Sequence, residues 1–177
     1  MSTLTVQTLQ APTSGANANK VIIPSGHTLD ASNGLLTPAD HVIQTAQNYA
    51  RGNINTSSTS YVLTGLDIDF TPSSTSSKVL IIAAFDMDTS ATSRQAYATI
   101  YRDSTELSTI GDSGSLGLTN SYDAGDRQIN GHTIQFLDSP SSTSQLHYEV
   151  YFKTTGGVVG FCSQNCRQVI TAMEIAG

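Results

Sequence analysis

The chain has 177 residues, of which 38% are apolar and only 12% charged, and its net charge is −6. That length suits one ordinary domain with a short appendage, not two full cores. Its eight Lys and Arg residues never cluster, so there is no basic stripe to displace counterions from nucleic acid or to hold an anionic membrane, and no apolar run approaches the length of a bilayer span.

Residues 1–20 have no sustained period and many small polar side chains, and read as an extended arm. The next segment, KVIIPSGHTLDASNGLLTP, sets short apolar groups (Val21, Ile22 and Ile23, then Leu29, then Leu35 and Leu36) between Pro-Ser-Gly and Ser-Asn-Gly turns. A segment of that kind cannot bury its apolar side alone, and three copies wound about one axis can, which reads as a short fibre shaft. No basic start and apolar stretch of a secretory signal is visible at the N-terminus, so synthesis in a cytoplasm is expected.

From residue 41 the pattern is a strand about every ten residues: 42–50, 61–70, 78–87, 96–102, 106–110, 129–137, 145–153, 158–161 and 169–175, with Gly, Asn, Asp, Ser and Pro between them. The 23 Ser and 23 Thr residues fit the same reading, Thr on pleated surfaces and Ser in turns. No stretch carries a 3.6-residue apolar period. The expectation is an all-β protein, an antiparallel β-sandwich of jelly-roll kind over residues 41–177, behind an arm and shaft over residues 1–40. The strand at 145–153 alternates cleanly, with Leu146, Tyr148, Val150 and Phe152 on one side. The strand at 78–87 is apolar on both sides, and so is the one at 169–175. In a sandwich without helices, the cheapest cover for such strands is a sister subunit. Leu80, Ile82, Ala84, Ile170 and Ala172 are therefore expected at an interface between copies, a trimer interface if the β-domain follows the three-fold reading of the shaft. The segments FTPSSTSSKVLI and LDSPSSTSQLHYEV share PSSTS between two strands, and read as equivalent corners of a Greek key.

Signals for chemistry are sparse. The catalytic motifs of nucleophile elbows, phosphate loops and zinc proteases are missing, and the four histidines, His27, His41, His132 and His147, are isolated. Asp67 with Asp69, and Asp86 with Asp88, place paired carboxylates on one face of a strand, a pattern compatible with glycosidase chemistry or calcium but more simply a solvated strand end. Cys162 and Cys166 are too few for a zinc site and read as buried or loop thiols. No catalytic residue, metal site or cofactor is expected. The long irregular stretch 111–127 carries Asp112, Asn120, Tyr122, Asp123, Asp126 and Arg127, groups suited to hydrogen bonds and stacking against a sugar, and is the candidate for receptor or glycan contact.

Three segments resemble fibre-like proteins of tailed bacteriophages, marine and cyanobacterial ones especially: KVIIPSGHTLDASNGLL, then VLTGLDIDFTPSSTSSKVLIIAAFDM with its TPSS turn, then ITAMEIAG with one Glu near the end. The resemblance implies a virion surface protein, commonly a homotrimer. Its N-terminal part, through apolar residues such as Leu4, Val6, Leu9, Val21, Ile22 and Ile23, would attach to capsid or tail, and its β-domain would face the host. Three readings compete with a short fibre: a capsid cement protein, a glycan depolymerase acting through one of the Asp pairs, and a trimeric jelly-roll signalling ligand, which the lack of a visible signal disfavours.

Overall fold

The structure is a computed structural model, and it describes residues 13–15, 25–26, 40–89, 95–108, 117–122, 127–162 and 167–177. The chain divides into two compact units, Met1–Leu36 and Thr37–Gly177. In the first, Ser25 and Gly26 form a turn with Gly26 at φ 82°. The arm residues Leu4, Val6, Leu9, Val21, Ile22 and Ile23 lie outside the described residues.

The second unit is all-β. Its strands are β1 (Val42–Ala50), β2 (Ile54–Thr56), β3 (Val62–Phe70), β4 (Lys78–Thr89), β5 (Gln95–Arg102), β6 (Thr105–Glu106), β7 (Thr119–Tyr122), β8 (Gln128–Asp138), β9 (Leu146–Thr154), β10 (Val159–Phe161) and β11 (Gln168–Ile175). One sheet runs β1-β11-β4, with β8 on the far side of β4 and β10-β2 extending past the end of β11. The other runs β3-β9-β5, with β7 and β6 on the outer side of β5. Every pairing is antiparallel. Taking the eight principal strands in chain order, the first sheet is 1-8-3-6 and the second is 2-7-4-5, the connectivity of a jelly roll.

The two PSSTS segments become the two neighbouring corners of this roll. One joins β3 to β4 and the other joins β8 to β9, and each crosses from sheet to sheet. Phe70 at the end of β3 pairs with Leu146 at the start of β9, while Val79 on β4 pairs with Asp138 at the end of β8. A two-stranded ribbon thus bends over the end of the sandwich. Pro72 and Pro140 sit in the bends, where no ladder hydrogen bond is asked of them.

Between the sheets lies a core that includes Leu66, Ile68, Phe70, Ile81, Phe85, Val150, Phe152, Phe161 and Ile170. Phe161 touches Phe85 and Phe152, with ring centroids 4.7 and 5.4 Å apart. Full burial of a side chain such as Ile81 contributes about 2 kcal/mol. Two of the buried carboxylates, Asp138 and Glu174, are each held by several donors. Asp138 receives two bonds from Arg102, at 2.8 and 2.7 Å, and one from Tyr148, at 2.8 Å, tying β8 of one sheet to β5 and β9 of the other. Burial and the Asp138 carboxylate push the Tyr148 phenol far above its ordinary value, so it stays a donor. Glu174, wholly buried on β11, accepts the Ser73 N–H at 2.8 Å, the Ser73 hydroxyl at 2.7 Å and the Gln44 amide at 2.6 Å. Burial alone would raise this carboxyl. The Ser77 hydroxyl beside it, together with Ser73 and Gln44, outweighs that effect and holds it below the usual range. The lone Glu near the chain end and the TPSS turn, two of the segments that carry the phage-fibre resemblance, are therefore one clasp.

Candidate functional site

A sandwich offers two outer faces, and here they differ in chemistry. On the β1-β11-β4-β8 sheet, register puts three rows of residues on the outside: Tyr49, Val169, Ala84 and Thr133; then Gln47, Thr171, Ile82 and Gln135; then Thr45, Met173, Leu80 and Leu137. None carries a charge at neutral pH. Tyr49 is 57% exposed and Leu137 47%; Leu80, Ile82, Val169 and Met173 are half-buried. An apolar face of this extent, lined by Thr and Gln, is the composition of a contact surface.

Three of the five residues expected at a subunit contact, Leu80, Ile82 and Ala84, lie on this face. Ile170 and Ala172 do not. They pair with Ala83 and Ile81, share their inward direction, and are completely buried in the subunit's own core. The apolar residues that β11 turns outward are Val169, Met173 and Ile175. Both sides of β11 are apolar in sequence, so periodicity alone left the inward side undetermined, and the pairing with β4 decides it.

The outer face of the β3-β9-β5 sheet is aromatic and ionisable. Tyr101 packs on Tyr151 at 4.1 Å and meets Tyr61 edge-on at 6.1 Å. The Lys153 ammonium lies 4.2 Å from the Tyr61 ring centre and 5.9 Å from that of Tyr97. Next to them, His147 Nδ1 is 2.8 Å from Asp69 and its Nε2 is 3.5 Å from Glu149. The bond to Asp69 raises the imidazole above its ordinary value, burial lowers it, and Glu149 and Asp67 add to the rise, so the net direction is up. Glu149 also accepts the N–H of Gly65, whose φ of 70° marks the irregularity in β3 between Leu63 and Asp67.

Asn120 and Tyr122 are exposed on the outward side of β7, a strand that periodicity missed because TNSY holds a single apolar ring. A hollow of about 270 Å³ beside them is lined by Tyr97, Gly117, Leu118, Thr119 and Asn120. Arg127 is drawn away from that group: its guanidinium forms a two-point ion pair with Asp88, with Nε 2.9 Å from Oδ2, at the end of the β4–β8 ladder. Asp112, Asp123 and Asp126 lie outside the described residues, as does Cys166. Cys162 is buried.

One member of each carboxylate pair is held by a basic side chain. Asp69 is engaged by His147, and Asp88 is buried against Arg127. His132 lies inside, stacked on Phe85 at 6.1 Å with Nδ1 2.9 Å from the Thr119 hydroxyl, and burial lowers its pKa while Asp86 opposes the shift. Among the described residues no group of three or more His, Cys, Asp or Glu is placed to hold a metal ion, and no helix is long and apolar enough to cross a membrane.

No protein-family model matches the sequence, and no curated protein matches it. Among solved structures, the chain is similar to one of the infectious bursal disease virus Gx strain, at 14% identity over 77% of this chain and 33% of that one, with a TM-score of 0.39. It is also similar to the D431N mutant VP2 protein of infectious bursal disease virus in T=1 particles, at 13% identity over 88% of this chain and 41% of that one, again with a TM-score of 0.39. The chain spans between a third and about two fifths of those proteins.

Proposed function

We propose that this protein is a structural component of a phage virion, a short trimeric fibre that acts by binding and carries out no catalysis. The observation that carries the proposal is the uncharged centre of the outer face of the β1-β11-β4-β8 sheet, where Leu80, Ile82, Val169 and Met173 stand half-buried with no described element over them. In this reading that face meets sister copies. The opposite face, with its tyrosines, Lys153 and carboxylates, looks outward to the host surface together with Asn120 and Tyr122, which offer stacking and hydrogen-bonding groups to a glycan. The arm, through Leu4, Val6, Leu9 and Val21 to Ile23, fastens the protein to capsid or tail. Support for the phage assignment comes from the resembling segments, two of which meet in the Glu174–Ser73 clasp.

Light scattering at micromolar concentration is expected to give the mass of a trimer, and a dispersed monomer would overturn the reading. A chain lacking residues 1–20 should trimerise but fail to enter particles. Its normal incorporation would mean that the arm is not the anchor.

A further inference from the structure

The apolar face is not flat, and charge enters at one end of it. Above Gly131 it sinks into a hollow of about 350 Å³ walled by Ala84, Asp86, Thr133 and Arg167. The hollow forms where two diagonally placed positions are small: Gly131, paired with Asp86, has open space where a Cβ would stand, and Ala84 is the next outward residue along β4, paired with Thr133. At the opposite margin of the same sheet, on β1, the Tyr49 ring projects into solvent. The Arg167 guanidinium rests on one face of this ring, 4.5 Å from its centre, and the same side chain forms part of the hollow's wall.

A sheet whose outer face turns toward a rotation axis sets its left margin against the right margin of the next copy. On this molecule one margin bears a projecting aromatic ring and the other a depression with a guanidinium and a carboxylate in its wall. A tyrosine suits that depression: the ring offers a π face to Arg167 and the hydroxyl donates to Asp86. We propose, building on the trimer reading above, that Tyr49 of each copy seats in the Gly131 hollow of the next. Each Arg167 then lies between the Tyr49 of its own chain and that of its neighbour, so that tyrosine and guanidinium alternate around the axis. The contact joins unlike patches, so it is not a two-fold pair, and with a three-fold rotation between copies it closes a ring.

Disulfide trapping tests it. Tyr49 stands on β1 and Gly131 on β8, with β11 and β4 between them. At about 4.8 Å per strand step, cysteines at the two positions of one chain are roughly 14 Å apart, beyond the reach of a disulfide, so any bond between them joins two chains. Oxidation of the double variant Tyr49→Cys/Gly131→Cys is expected to give covalent dimers and trimers on a denaturing gel, with neither in the single variants. Links in Tyr49→Cys alone would indicate a two-fold contact and overturn the proposal. A trimer by scattering that yields no link in the double variant would overturn this geometry and leave the trimer standing, whereas a monomer by scattering would remove both. Independently, Gly131→Leu fills the hollow at a site with room for a side chain, and should raise the trimer dissociation constant at least tenfold without lowering monomer stability, while Tyr49→Phe should raise it much less. An unchanged constant in Gly131→Leu would also overturn the proposal.

Discussion

The two outer faces of the sandwich are built from the same alternation of side chains and come out opposite in character. On the β1-β11-β4-β8 side the three central rows of outward positions hold only apolar residues, Thr, Gln and Tyr, with Lys78 at one end and Asp86 and Arg167 at the other. On the β3-β9-β5 side the corresponding positions hold Tyr101, Tyr151, Lys153, His147, Glu149, Asp67 and Asp69. The difference teaches which face is meant for water. Ionised groups give up hydration on burial and resist it, while Thr, Val and Met give up little, so the first face is ready to be covered and the second is not.

The largest expected effect contrasts the two directly. On the trimer proposed above, Ile82→Asp should convert the assembly to folded monomers. Leu63→Asp, on the opposite face at a position 59% exposed, should leave the assembly as it is. Equal behaviour of the two variants in light scattering would erase the distinction. Next in size is the strap between the sheets. Asp138→Ala leaves the Arg102 guanidinium and the Tyr148 hydroxyl without their shared acceptor, and should cost about 3 kcal/mol, or roughly 10 °C in melting temperature, with the oligomeric state retained once folded.

Smaller still is the pH response of the ionisable face. The folded protein holds the His147 imidazole above its ordinary value of about 6.5, so its contribution to stability is complete below that pH and disappears as pH rises through the raised folded value. His132 works the other way: its lowered value means that protonation costs stability as pH falls below about 6.5. Denaturation midpoints measured from pH 5 to 9 should fall at the alkaline end, and His147→Gln should remove that fall while the acid-side loss remains. Smallest of all, Lys153→Met should cost about 0.5–1 kcal/mol through its contacts with Tyr61 and Tyr97.

Most of the framework was legible in the sequence. The strands at 42–50, 78–87, 129–137, 145–153 and 169–175 recur in the structure within two residues at each end, because alternation and turn residues agree there. Two short strands were not: Ile54–Thr56 and Thr119–Tyr122 carry too few apolar residues to show a period, and take their form from the edges they join, β10 and β5. The outward side of β11 was also hidden, because Val169, Met173 and Ile175 are as apolar as Ile170 and Ala172, and only the register against β4 separates them. Glu174 gave no warning of its burial, since a carboxylate goes inside only when donors from distant segments meet it, here Ser73 and Gln44. The hollow over Gly131 was equally invisible, for it depends on which small residues the register sets diagonally across two strands.

The Glu174 clasp also dictates an order of events. β11 is synthesised after every strand it joins, yet it lies between β1 and β4 and holds the β3–β4 bend through its carboxylate. Until residues 168–175 leave the ribosome, β1 has no ladder neighbour, half of β4 shows a bare edge, and the bend at Ser73 is unfastened. Open edges of that sort seek other chains. The nascent protein is thus most adhesive just before it closes, and the last strand must be translated quickly or the unfinished roll sheltered from its siblings.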